Sequence, residues 1–226
     1  MSAHIGLFLN HGQCCCASSR LFVQESVYDS FVAKATALAK SIKVGPQFDA
    51  GSQQGPQVDD IQFKSVMRYI ELGKSQGATV MAGGDRALAK GFYVQPTIFS
   101  DVTDEMTIAK EEVRDRRQAS FLILCSTFTI FRIVTLSHKQ LKVFNIFTLP
   151  LQIFGPVMSI LKFKTIEEAI SRANSSIYGL AAGICTRDIG KALRCARDLR
   201  AGTVWVNCYN VFDAAQVIDD GGSDGY

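Results

Sequence analysis

Val157-Met-Ser-Ile-Leu-Lys-Phe163 is followed one residue later by Thr165-Ile-Glu-Glu168. The first segment reads as a buried strand. The second is a capping box, a hydroxyl three residues ahead of a carboxylate, that opens a helix running to Asn174. Outward from this strand–helix pair the same grammar repeats. Leu180 to Cys185 reads as a strand, Asp188 to Leu199 as a helix and Thr203 to Val206 as a strand. Toward the other end, Arg20 to Val23 reads as a strand. Ser26-Val-Tyr-Asp29 reads as a capping box for a helix to about Lys43, with Val27, Phe31, Ala35, Leu38 and Ile42 as its apolar face. Gly45-Pro46 ends that helix. A second helix runs from Asp60 to about Gln76 on Phe63, Val66, Met67 and Ile70, with Gly77 as its stop. Ala78 to Ala82 and Tyr93 to Phe99 complete the strands, separated by a Gly83-Gly84 turn. Strands alternating with helices predict an α/β fold: a mostly parallel sheet flanked by helices.

Composition excludes several classes. A chain of 226 residues with 47% apolar content, 18 Gly and 5 Pro is neither disordered, collagen-like nor low-complexity. Its +3 charge is unevenly placed. Residues 113–152 hold six basic side chains against Asp115 alone, with five of the fifteen Phe and no Gly. The remainder is weakly acidic, so the charge argues for no nucleic-acid partner. The longest apolar run, Phe121 to Leu136, spans sixteen residues and contains Arg132, short of the roughly twenty apolar residues a membrane span needs. Met1 to Asn10 has no basic start and no long apolar run, so no signal peptide is expected.

Seven cysteines, three of them adjacent, do not form a disulfide framework. No C-x-x-C pair occurs, and His4, His11 and His138 are not at zinc-ligand spacing, so no metal is expected. The stretch Phe8-Leu-Asn-His-Gly-Gln-Cys-Cys-Cys-Ala-Ser-Ser-Arg20 is where chemistry is expected. A nucleophilic thiol needs access, a depressed pKa and nearby backbone N–H groups, and Gly12 allows close approach to the backbone. Adjacent thiols point different ways, so at most one or two face a cleft. Residue type alone favours buried structural cysteine for all three.

Gly-Gln-Cys-Cys-Cys-Ala-Ser-Ser-Arg resembles the catalytic-cysteine signature of the aldehyde dehydrogenase superfamily, closest to its NAD-dependent mitochondrial or cytosolic members that act on small aldehydes. Six further blocks resemble the family and stand in its order: Gln54-Gly-Pro-Gln-Val-Asp59, Gly91-Phe-Tyr-Val-Gln-Pro-Thr97, Asp104-Glu-Met-Thr-Ile-Ala-Lys-Glu-Glu112, Ile153-Phe-Gly-Pro-Val157, Tyr178-Gly-Leu-Ala181 and Ala201-Gly-Thr-Val-Trp-Val-Asn207. The resemblance implies oxidation of an aldehyde to a carboxylate with NAD. Cys15 would be the nucleophile, passing through a thiohemiacetal and a thioester. It implies Glu112 on a ribose of NAD, Phe154 beside the nicotinamide, Gln62 at the cofactor, and Tyr209 and Phe212 on the wall of the aldehyde tunnel. A mitochondrial or cytoplasmic location and oligomer formation are further implications.

The chain is expected to be a catalytic-domain fragment in four parts. Residues 1–112 and 153–216 carry the family pattern, 113–152 interrupt it, and 217–226 form a divergent tail. The interruption is read as translated intron, because Val113-Arg114 can be encoded by a splice-donor sequence and Leu151-Gln152 can end in an acceptor. An evolved lid or membrane-touching insertion is the alternative. No G-x-G-x-x-G or P-loop occurs, and no counterpart of the family's general-base glutamate or oxyanion asparagine is found. Two other readings therefore stand beside the enzyme: an inactive fragment docked on full-length subunits, and a cofactor-independent thiol esterase.

Overall fold

The structure, a computed structural model, describes residues 2–110, 153–176 and 179–212. Strand β4 (Val157–Phe163) is its axis: Val157 through Leu161 are all buried, as expected of a strand covered on both faces. β1 (Arg20–Gln24) and β3 (Thr97–Ser100) lie parallel to it on either side, with Arg20 opposite Ser159 and Thr97 opposite Val157. β2 (Thr79–Ala82) adds an antiparallel edge, giving the order β1-β4-β3-β2. A second, two-stranded sheet pairs β5 (Ala181–Ile184) with β6 (Thr203–Val206) in parallel. The expected α/β fold with a mostly parallel sheet and flanking helices is what forms.

Alternation along β4 divides the core. Val157 and Leu161 face one cluster with Val66, Tyr69, Ile70 and Phe99, built on α3 (Asp60–Ser75) and α4 (Thr107–Lys110). Met158 and Ile160 face the other, with Leu7, Tyr28, Val32 and Ile98, built on α1 (Ser2–Phe8) and α2 (Tyr28–Ser41). Each side chain of this size contributes about 1.5–3 kcal/mol on burial, so the two faces clamp the strand that leads out of the Phe154 segment. Two further helices, α5 (Ile166–Ala173) and α6 (Ile189–Asp198), begin at side-chain caps. Thr165 accepts from the Glu168 N–H at 3.2 Å and Asp188 from the Lys191 N–H at 3.1 Å. α3 begins likewise, Asp59 accepting from the Gln62 N–H at 2.7 Å. Each such cap is worth about 1 kcal/mol.

Three local expectations are corrected. Ser26 does not cap α2: residues Glu25–Val27 form a 3₁₀ turn and Val27 occupies the cap position without a side-chain bond. The buried face is consequently Tyr28, Val32, Ala35 and Ala39, while Val27 and Leu38 are exposed. The expected strand from Tyr93 shortens to Thr97–Ser100, because Pro96 has no N–H for a ladder bond. Helix α1 has no counterpart in the sequence expectations, being too short to show periodicity. Among the described residues no helix is long and apolar enough to cross a membrane. The block 113–152, the tail, and Glu112 lie outside the described residues.

Candidate active site

After α1 the backbone passes through three successive left-handed residues, Asn10 (φ 50°), His11 (φ 60°) and Gly12 (φ 74°). Such conformations persist only where surrounding contacts enforce them, and those contacts are visible. His11 Nδ1 accepts from the Gly55 N–H at 3.2 Å, and Gln13 Oε1 from the Val58 N–H at 3.0 Å. Gly12 packs so tightly on the next wall that a Cβ there would sit 2.1 Å from the Gly155 carbonyl oxygen. The cysteine loop is thus pressed against the Ile153-Phe-Gly-Pro segment by a glycine that no other residue could replace without displacement.

This turn sorts the three thiols. Cys15 is exposed, Cys14 half-buried and Cys16 buried. Their sulfurs lie within 4.8 Å of one another, with Cys14 Sγ and Cys16 Sγ 3.4 Å apart. The Cys15 thiol is lowered to about 6, chiefly because the Cys16 S–H donates to it, against the opposing effect of partial burial. The backbone N–H groups of Cys16 and Cys15 and the Cys14 thiol add to the stabilisation. The Cys16 thiol is pushed up by the same bond and by burial. At neutral pH the arrangement therefore holds an exposed thiolate on Cys15 and a proton on Cys16.

Cys16 is anchored from far along the chain. Its single S–H proton is shared with Asn210 Oδ1, 3.2 Å from Sγ, and its carbonyl accepts from the Tyr209 hydroxyl at 2.9 Å. The Tyr209 ring fits between two glycines: a Cβ at Gly6 would lie 2.8 Å from it, and one at Gly183 2.6 Å. Trp205 continues the stack, with ring centres 4.6 Å from Tyr209 and 5.2 Å from Phe212, and its indole N–H donates to the Val211 carbonyl at 2.9 Å. Tyr209 therefore supports the cysteine turn from behind, whereas Phe212 stands more than half exposed.

Phe154 is half-buried and held at φ 44°. The hold comes from Gln62, whose side-chain amide donates to the carbonyls of Ile153 at 2.9 Å and Phe154 at 2.8 Å. Gln62 thus reaches the site through the Phe154 backbone. Phe154, Gly12, Gly155 and Cys14 border a cavity of about 10 Å³, room for about one water. A wider open groove of about 520 Å³ runs along His11 and residues 52–58. Its lining contains no thiol. Of the expected site residues, the structure joins Gln62 to Phe154, Tyr209 to Cys16 and Phe212 to Trp205; Asn210 and His11 were not among those expected. The available signal was their positive φ, a preference of Asn and His that only a known turn reveals.

The pattern of the aldehyde dehydrogenase family matches residues 1–114 and 148–224. The chain is 49% identical over 212 residues to a mitochondrial aldehyde dehydrogenase of Homo sapiens, covering 94% of this chain and 33% of that protein. It is 48% identical over 213 residues to a mitochondrial benzaldehyde dehydrogenase of Antirrhinum majus, with 94% and 32% covered. Among solved structures, the NAD+ complex of an aldehyde dehydrogenase from Bacillus cereus superposes with a TM-score of 0.77 at 40% identity, covering 96% of this chain and 36% of that one. The chain spans about a third of the length of the curated relatives it matches.

Proposed function

The chain belongs to the aldehyde dehydrogenase family, and from that premise we propose that it carries the nucleophile side of an NAD-dependent aldehyde oxidation site. The observation that carries this reading is the exposed Cys15 thiol, lowered to about 6 beside a protonated Cys16. The Cys15 thiolate adds to the carbonyl carbon of a small aldehyde, forming a C–S bond and an oxyanion. Backbone N–H groups at the cysteine turn are the donors this chain offers to that oxyanion. Loss of hydride from the tetrahedral carbon leaves a thioester on Cys15. Water then cleaves the C–S bond, releasing the carboxylate and regenerating the thiolate.

NAD, when bound, supplies the hydride acceptor. The residues here fit its nicotinamide side: Phe154 presents an aromatic ring fixed by a strained backbone next to the nucleophile loop, and Gln62 acts as the positioning residue for that strain. Glu112 is proposed as the ribose ligand by resemblance. Phe212 is proposed as a wall of the aldehyde approach, with Tyr209 setting the position of the turn behind it. The mitochondrion or cytoplasm is the proposed location, in keeping with the mitochondrial relatives.

The test is to mix the purified chain with NAD and acetaldehyde and follow NADH absorbance. Turnover that disappears in Cys15→Ala supports the reading; turnover unaffected by that change overturns it. An exposed, acidic thiol also favours a second activity that needs no cofactor, hydrolysis of activated esters. Ester hydrolysis that depends on Cys15, in a chain that forms no NADH, would assign the esterase instead. Co-purification with a full-length homologue, with neither activity, would assign the docked fragment.

A further inference from the structure

We propose that Cys14, Cys15 and Cys16 together form a binding site for a thiophilic d¹⁰ cation, with Zn2+ as the ion that fits. Three sulfurs within 4.8 Å of one another, two of them 3.4 Å apart, bracket the edge of a zinc–thiolate tetrahedron. With Zn–S bonds of about 2.3 Å that edge is about 3.8 Å. The sulfur separations differ from that edge by about 1 Å or less. Exposed Cys15 gives the ion its way in, and the fourth position stays open to water.

Asn210 supplies an independent observation. Its Oδ1 accepts from Cys16 Sγ, while its Nδ2 is buried and has no hydrogen-bond partner among the described residues. That orientation suits a Cys16 thiol and wastes the amide donor. A metal-bound Cys16 has no proton to give and needs a donor instead. Rotating the amide by half a turn exchanges oxygen for nitrogen in the same volume. The N–H then donates to the Cys16 thiolate, the outer support that metal-bound ligands ordinarily have, while the oxygen takes the buried position the N–H held. Cys16 is the most enclosed of the three, so it is where such support matters most.

On binding, the S–H bonds of Cys14 and Cys16 are replaced by S–Zn bonds and their protons pass to buffer, Cys15 coordinates as the thiolate it already is, and no electron is transferred. The ion would occupy the Cys15 lone pair required for attack on a carbonyl, a consequence that rests on the nucleophile role proposed above. The site itself does not depend on that role.

The experiment titrates the reduced 226-residue chain with Zn2+ against a chromophoric chelator, without aldehyde or NAD. Thiols protected from alkylation are mapped by peptide mass spectrometry. One ion per chain is expected, protecting Cys14, Cys15 and Cys16 and leaving Cys185 open. Cys14→Ala/Cys16→Ala should abolish that binding, and Cys185→Ser should leave it unchanged. Asn210→Ala, which keeps all three sulfurs, should weaken it by roughly 10–100-fold. Binding that survives the double substitution, protection at Cys185 or Cys208 instead, or equal affinity in Asn210→Ala overturns the proposal. So does the absence of 1:1 binding in the parent chain. The Cd2+ form should show a thiolate-to-metal charge-transfer band that the double variant lacks, provided circular dichroism shows that variant folded.

Discussion

Replacing Cys16 by alanine tests whether the acidity of Cys15 comes from its neighbour. The substitution removes the S–H that donates to the Cys15 thiolate and keeps the backbone carbonyl that accepts from Tyr209. In the parent, alkylation of Cys15 should rise with pH through a midpoint of about 6. The sign follows from the lowered thiol: reactivity is present above that midpoint and lost as pH falls through it. If Cys16 were the whole cause, the variant would titrate near the ordinary thiol value of about 8.5. The thiolate fraction at pH 6 would then drop roughly 150-fold. The N–H groups of Cys15 and Cys16 and the Cys14 thiol remain in place, so the expected loss lies between roughly 10-fold and that limit. The assay is the iodoacetamide modification rate at Cys15, quantified by peptide mass spectrometry from pH 5 to 9. A folded Cys16→Ala variant whose midpoint stays at about 6 would refute the reasoning, because the largest stabilising contact would then be doing nothing.

Gly12→Ala places a methyl 2.1 Å from the Gly155 oxygen at φ 74°. The left-handed conformation alone costs about 1–2 kcal/mol, so urea unfolding should show at least that loss, together with altered Cys15 alkylation as the loop moves off the Phe154 segment. Gln62→Ala leaves two carbonyls without their donor and should cost about 1–3 kcal/mol in the same measurement; Gln62→Glu, with no amide hydrogens, should not rescue it. His11 is lowered by burial and is neutral while accepting from Gly55. Its contribution to stability is therefore full above about 6.5 and is lost as pH falls through the depressed value. Stability measured against pH should fall less steeply on the acid side in His11→Asn.

Much of this architecture was legible from residue order alone. The strands at Arg20, Val157 and Thr203 appear where apolar runs meet turn signals, and the Thr165 cap forms as its capping-box pattern predicts; the caps at Asp59 and Asp188 were not among the expectations. These are local effects, decided within a few residues. The face of α2 was misread because Ser26 entered a 3₁₀ turn, which rotated the helix relative to its apolar pattern. The ordered motifs likewise identified the family and pointed to Cys15.

The sequence by itself determined the α/β alternation, the family, and the cysteine turn on which the proposed chemistry rests. The resemblance singled out Cys15, but only the tertiary structure supplies a physical difference between three chemically identical thiols. What distinguishes Cys15 from Cys14 and Cys16 is exposure and a donated proton, and both depend on contacts across the fold. Asn210 binds Cys16 from 194 residues away, Tyr209 fits a slot between Gly6 and Gly183, and Gly12 presses on Gly155. A residue's type sets what a side chain can do. Its pKa and access are properties of the surrounding atoms, and those atoms are assembled only when the β4 core closes.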